Sequence, residues 1–219
     1  MRKPITPYWP SFHGPQTGQG EPQLPERTTL EGCMGFIEGC APSTRDRVRA
    51  LIEEEQLGAH LRARYPTPHE LNTNKQLRGY TNLIKAAHLK TTERLSKVCF
   101  DDKLHLIHHA LGTQTFISHA HGGQLKARRE LRVSSLFKRS PEPLLRMIVV
   151  HELAHLRERE HNAAFYRLCV HMEERYHQLE FDARLYLIHH ELFGPLYPTS
   201  RPDSIPRLPP QDESGEDPL

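Results

Sequence analysis

Apolar residues recur every three or four positions in the first half of the chain, a spacing typical of amphipathic helices. One helix is predicted to begin at Ser43 or Thr44, where a hydroxyl can cap it, and to end before Pro66. A second helix is predicted to begin near Asn72 or Thr73, and its apolar stripe comprises Leu77, Tyr80, Ile84 and Ala87. We therefore expect residues 43–96 to form a helical N-terminal extension that packs and has no chemistry of its own.

The pattern becomes shorter and partly alternating from about residue 97, which favours β-strands. Three segments are predicted as strands: residues 103–111, 115–120 and 131–136. Gly112 and the pair Gly122-Gly123 separate them, as tight turns require. The central part of the chain therefore predicts a small, mostly antiparallel sheet.

Helical spacing returns at Ser140, which can cap a helix with Pro141 at its first position. This helix is predicted to continue to residue 160, and its middle is apolar on nearly every face, so it must be buried. Asn162 can cap another helix. A last helix is predicted over residues 182–192, before Gly194-Pro195. These elements together predict an α+β fold.

Proline is concentrated at the two ends of the chain. Seven of the 18 prolines lie at or before Pro42, and seven lie at or after Pro195. Such composition favours extended, weakly ordered chain. We expect a Pro-rich arm over residues 1–42, a catalytic domain over 97–194 and a disordered acidic tail over 195–219.

The charge balance and the cysteines limit the classes of partner and compartment. The net charge of +2 is too small to indicate a nucleic-acid partner, and no stretch approaches the roughly 20 apolar residues of a membrane span. The first residues lack the apolar run of a signal peptide. Four cysteines without a CxxC pair are typical of free thiols in a reducing compartment, so we expect a cytoplasmic protein of unknown oligomeric state.

The sequence HELAH at residues 151–155 is an HExxH motif on the predicted buried helix. His151 and His155 are one helical turn apart, so both imidazoles project from one face and can share a tetrahedral metal ion. Glu152 is rotated by about 100° from His151, so its carboxylate can flank the metal without ligating it. In a chain with 16 histidines, such a motif arises by chance with a probability of about one in ten.

His161 supplies the third ligand that a catalytic zinc site usually has. On a continuous helix it would lie roughly 120° from the face that carries His155, so it can ligate only if the helix ends between them. Asn162 favours such an end because it starts a new helix directly afterwards. Requiring this third histidine lowers the chance expectation to about one in a hundred.

HELAHLREREHNAAF resembles the YgjP-like zinc metallopeptidases, which are related to the WLM and SprT-like zincins. The resemblance covers residues 97–192 and includes the predicted hairpins. It implies a zincin-like fold, with His151, His155 and His161 as zinc ligands and Glu152 as the general base. The metzincins place a glycine where this chain has Glu158, so we do not assign it to them.

These residues predict a zinc-dependent hydrolase in which Glu152 activates a zinc-bound water, most simply a metallopeptidase acting on a peptide or protein. Two alternatives stay open. One is hydrolysis of another bond at the same site, such as a nucleotide phosphoanhydride, and the other is a non-catalytic module with structural zinc. The basic run at residues 126–129 keeps a nucleic-acid-associated substrate open. His119 is a candidate for stabilising the oxyanion, whereas the remaining histidines are expected to be surface or packing residues.

Overall fold

The computed structural model describes residues 29–90, 94–102, 104, 112–121 and 124–197, with the backbone alone for 112–121 and 124–128. Its α-helices are α1 (Leu30–Met34), α2 (Pro42–Glu53), α3 (Leu57–Arg64), α4 (Asn74–His88), α5 (Glu142–Ala154), α6 (Ala163–Met172) and α7 (Tyr176–Phe193). Its strands are β1 (Leu95–Asp101), β2 (Gly112–His121) and β3 (Gln124–Ser134), and short 3₁₀ turns follow α1 and β3.

Ordered structure begins earlier than the predicted end of the arm at residue 42. Thr29 caps α1, its hydroxyl accepting from the backbone N–H of Gly32 at 3.1 Å. Cys33 and Ile37 are fully buried in the same apolar core as α7. The expected weakly ordered arm is therefore wrong for residues 29–42, because this segment buries apolar side chains. Residues 1–28 lie outside the described chain.

The helices of the predicted extension form as expected, with small shifts at their ends. Ala41, rather than Ser43 or Thr44, precedes the first helical residue of α2. At α4, Thr73 and Gln76 form a reciprocal capping box, which confirms the predicted start. In the predicted apolar stripe of α4, Leu77 and Ile84 are buried and Tyr80 is half-buried, whereas Ala87 is exposed.

The helices α2 and α3 do not form a separate layer. Leu57 and Leu61 of α3 have no exposed surface, and they belong to the same continuous apolar core as α5 and α7. Their function in the described part of the chain is packing. They support α7, which in turn lies against α5.

The sheet has the strand order β1-β3-β2 and is mixed. β2 and β3 pair antiparallel from Gly112↔Val133 to His121↔Gln124, but β1 and β3 pair parallel. The expectation of a mostly antiparallel sheet therefore holds for one pairing only. β3 occupies the centre because its Leu131 and Val133 bury completely beside the apolar residues of β1.

The predicted strand boundaries were less accurate than those of the helices. β1 lies before the predicted first strand, of which residues 103 and 105–111 are not described. Gly112 begins β2 instead of forming a turn. Gly122-Gly123 falls between the paired ends of β2 and β3, outside the described residues.

The helix α5 lies at the centre of the core, as its apolar sequence predicts. Pro141 precedes its first residue, and Ser140 is buried with its hydroxyl donating to the Phe137 carbonyl at 3.1 Å, so Ser140 is not the cap. α5 ends at Ala154, six residues before the predicted end. α7 begins at Tyr176, six residues before its predicted start, and is buried along most of its length. No helix within the described ranges has the length and apolarity to span a bilayer.

Candidate metal centre

Three imidazoles meet where α5 ends. His151, His155 and His161 each offer a ring nitrogen, and these three atoms all lie within 4.8 Å of one another. The Nε2 atoms of His151 and His161 are 3.1 Å apart. In the described part of the chain this is the one group of three or more such side chains that could hold a metal ion. The structure thus brings the three predicted residues together, and their role as ligands remains a prediction.

The position of His161 follows from the end of α5. After Ala154 the chain leaves the helix in a turn, in which the N–H groups of Arg157 and Glu158 both donate to the Ala154 carbonyl at 3.0 Å. Asn162 then caps α6, its Oδ1 accepting from the N–H groups of Ala164 and Phe165 at 2.8 and 3.0 Å. This change of direction turns His161 back towards His151 and His155.

The ring of Phe165 forms the floor of the histidine cluster. Its centroid lies 5.0, 4.6 and 4.7 Å from the ring centroids of His151, His155 and His161. Phe165 is fully buried, so water does not reach the cluster from this side. The apolar ring of Phe165 limits the rotation of all three imidazoles. The polar atoms that converge at the centre of the cluster are the ring nitrogens of the histidines.

Two hydrogen bonds orient the imidazoles of His151 and His155. His151 Nδ1 lies 2.7 Å from the Tyr176 hydroxyl, and His155 Nδ1 lies 3.0 Å from the Glu158 carbonyl. Such partners fix which ring nitrogen faces a metal. Sequence reasoning did not identify either one. Tyr176 is 25 residues from His151 and has no spacing relation to the motif, so only the packing of α7 against α5 reveals it.

Burial keeps the imidazoles of His151 and His155 in the neutral form that binds metal. It lowers the pKa of His151 well below 6.5, and the neighbouring His155 and His161 lower it further. Burial also lowers the pKa of His155, although its hydrogen bond to the Glu158 carbonyl opposes this effect. At neutral pH His151 and His155 are therefore uncharged and available as ligands.

Glu152 is a carboxyl group placed in the core beside these imidazoles, with only 2% of its surface exposed. Burial raises its pKa from 4.5 to about 8. A buried carboxyl with a raised pKa can take up and release a proton near neutral pH, as a general base requires.

The raised pKa of Glu152 predicts how the metal-free protein responds to pH. Its contribution to stability is fully present below about pH 4.5 and is lost as the pH rises through about 8, at up to about 1.4 kcal/mol per pH unit. Glu152→Gln does not titrate, so the variant should gain stability relative to wild type between pH 5 and pH 8. Urea unfolding of chelator-treated protein measures the difference. Parallel pH curves for the two proteins would contradict this assignment.

The donor set fits a zinc ion. Nitrogen–zinc distances of about 2.0–2.1 Å in a tetrahedral site place neighbouring nitrogens roughly 3.3 Å apart, close to the 3.1 Å between His151 and His161. Three neutral imidazoles are a typical ligand set for catalytic zinc. The geometry also brings three half-buried ring nitrogens to one space, where a cation could be coordinated.

The remaining candidate residues lie elsewhere or are not described. Two acidic residues that follow the motif at a greater distance do not join the cluster: Glu173 pairs with Arg146 at 2.6 Å, and Glu174 is exposed. His119 lies in β2, but its side chain is outside the described set, and its role stays a prediction. From the basic run, Arg129 donates to the Leu156 carbonyl at 2.9 Å and so anchors the turn after His155.

Residues 68–184 match the family described as YgjP-like, metallopeptidase domain. The chain belongs to this family. A relative named UTP pyrophosphatase, from Escherichia coli (strain K12), is 50% identical over 154 residues, which are 70% of this chain and 92% of the relative. No solved structure matches the chain.

The YgjP-like match contains every residue of the candidate site. The three histidines, Glu152 and Tyr176 all lie within residues 68–184, as does the motif segment 151–165. The helices α1, α2 and α3 precede the match, yet they share its core. The family assignment supports a metal-dependent hydrolase.

Proposed function

We propose that this YgjP-like protein is a zinc-dependent hydrolase that cleaves a phosphoanhydride bond of UTP. The observation that carries the hydrolase proposal is the convergence of three imidazoles beside the buried carboxyl of Glu152. The choice of substrate is supported by the relative named UTP pyrophosphatase. The match covers 92% of the relative's length at 50% identity.

His151, His155 and His161 would hold the zinc ion, and Tyr176 and the Glu158 carbonyl would keep the rings of the first two oriented. When bound, zinc supplies a positive charge that lowers the pKa of a water molecule from about 15.7 towards 7 and stabilises negative charge on the substrate oxygens. Phe165 closes the floor of the site, which lowers the local dielectric constant and strengthens these electrostatic interactions.

Glu152 would move the proton of the attacking water. A cation held by the three histidines would favour the carboxylate, so the pKa of Glu152 would fall from about 8 and the group would act as a base. The carboxylate accepts one proton as the water oxygen bonds to phosphorus. The phosphoanhydride P–O bond then breaks, and the leaving phosphate oxygen takes the electron pair.

Peptide hydrolysis is the second candidate, because the HExxH pattern with a third histidine is that of a metallopeptidase and the family carries that description. The same residues would act on a peptide: Glu152 would pass its proton to the leaving nitrogen. The two candidates share the metal centre and differ in the substrate it receives.

A substrate panel separates the two candidates. Zinc-loaded protein should hydrolyse UTP with a higher kcat/KM than CTP, ATP or GTP, and it should leave a mixed peptide library intact. Ion-exchange chromatography identifies the nucleotide products, and mass spectrometry monitors the peptides. Cleavage of peptides without hydrolysis of any nucleotide would overturn the first candidate and support the second.

The matched control for this panel is Glu174→Gln. Glu174 is exposed and lies outside the histidine cluster, so this variant should retain activity on UTP. Glu152→Gln should lose activity on whichever substrate is cleaved. Activity that survives in Glu152→Gln would indicate a contaminating enzyme or a different base.

A further inference from the structure

Tyr176 contacts the metal centre from the first residue of α7. Its side chain has no exposed surface, and its hydroxyl lies 2.7 Å from His151 Nδ1. The two rings are nearly parallel, with an interplanar angle of 17°. The hydroxyl therefore reaches the side of the His151 ring opposite to the nitrogen that faces His161.

The hydroxyl of Tyr176 has a second partner, the thiol of Cys169 on α6. Cys169 is fully buried, and its sulfur can accept the phenolic proton. A hydroxyl has one proton to donate and two lone pairs to accept with. If the proton is directed to sulfur, the oxygen is left to accept the Nδ1–H of His151.

This order of donors selects one tautomer of His151. A proton on Nδ1 leaves the Nε2 lone pair free, and Nε2 is the atom that lies 3.1 Å from His161 Nε2. Neutral imidazole binds a metal through the nitrogen that carries no proton. A hydrogen bond donated by His151 Nδ1 to the Tyr176 hydroxyl therefore agrees with a metal bound at Nε2.

Contacts with the N-terminal segment hold α7 in place. Arg184 donates to Glu180 at 3.0 Å and to the Phe36 carbonyl at 3.1 Å, and all these atoms are buried. Glu180 is one turn beyond Tyr176, so the segment that precedes the YgjP-like match braces the end of α7 that reaches the site.

We propose that Tyr176 is a positioning residue of the metal centre, whose hydroxyl accepts Nδ1–H of His151 and so directs the Nε2 lone pair towards His155 and His161. The inference rests on the proposed metal site. It assigns Tyr176 no contact with substrate, and its effect passes through His151.

Tyr176→Phe tests the role of the hydroxyl, with Tyr186→Phe as the matched control. Tyr186 is also a buried tyrosine of α7, but its ring packs against Phe137. Tyr176→Phe should weaken zinc binding by about 10–100-fold, as expected for loss of an orienting partner. Tyr186→Phe should bind zinc as wild type does. Competition with a chromophoric chelator gives the dissociation constants.

The visible absorption spectrum of the cobalt-substituted protein adds a readout that general loosening of the core does not reproduce. The ligand-field bands should shift in Tyr176→Phe and remain unchanged in Tyr186→Phe. A zinc affinity within twofold of wild type in Tyr176→Phe would overturn the inference. Equal losses in both variants would also overturn it, because the effect would then be one of packing.

The tautomer itself can be observed by NMR in the metal-free full chain with ¹⁵N-labelled histidine. His151 should carry its proton on Nδ1 in wild type and should populate the Nε2–H form in Tyr176→Phe. An Nε2–H tautomer in wild type overturns the inference, even if Tyr176→Phe fails to fold. Absence of zinc binding by wild type would refute the proposed function instead, which keeps the two failures distinct.

Discussion

Glu152→Gln is expected to lower kcat by about 10²–10⁴-fold and to leave one zinc ion bound per chain. Glutamine has nearly the same shape as glutamate, so it fills the same buried position, but its amide cannot accept the proton of the attacking water. The three imidazoles remain, and with them the affinity for zinc. Steady-state kinetics on UTP and elemental analysis of the same preparation measure the two effects.

The outcome for Glu152→Gln distinguishes the base from the alternatives. Loss of zinc together with activity would show that Glu152 supports the metal and is not only a base. Full activity with zinc retained would favour a different proton acceptor. A structural zinc site has no need of a base. Wild-type protein that is inactive on every substrate tested would therefore support the non-catalytic alternative.

His161→Ala is expected to weaken zinc binding by more than about 100-fold. Removing one of three ligands should cost more than the 10–100-fold that accompanies loss of an orienting partner. The variant should keep its fold, because His161 is half-buried in the turn before α6 and the cap at Asn162 is untouched. Chelator competition gives the zinc dissociation constant, and far-UV circular dichroism checks the fold.

The control for His161→Ala is His60→Ala. His60 is an exposed histidine of α3 and lies outside the cluster, so its loss should leave zinc affinity unchanged. Unchanged affinity in His161→Ala would remove His161 from the ligand set. The two histidines of α5 would then need a different third donor, and the zinc proposal would have to be revised.

Local signals in the sequence predicted the starts of α4 and α6, whereas the starts of α2, α5 and α7 differ from those predicted. Thr73 with Gln76 and Asn162 with its following apolar residues both form the caps that their residue types favour. Caps depend on side-chain hydrogen bonds to backbone groups two or three residues away, so a short stretch of sequence contains the whole interaction. The apolar middle of α5 likewise predicted its burial.

Contacts between distant parts of the chain were not predictable in the same way. Residues 29–42 were expected to be weakly ordered because proline is concentrated in the first 42 residues. Cys33 and Ile37 are nevertheless buried beside α7. The parallel pairing of β1 with β3 was also missed. Strand order and direction depend on which apolar faces meet in the core, and alternation along one strand does not specify its neighbour.

The spacing of His151, Glu152 and His155 is a property of the α-helix, so the sequence alone was enough to place two imidazoles on one face with a carboxyl beside them. Residues 156–160 are all good helix formers, so local propensity predicted that this helix would continue to residue 160. Only the tertiary structure ends α5 at Ala154, turns His161 to the cluster and brings Tyr176 to His151. Burial of Phe165 and Tyr176 against α5 outweighs the small propensity of a few exposed residues, and that free energy depends on parts of the chain that meet only in the fold.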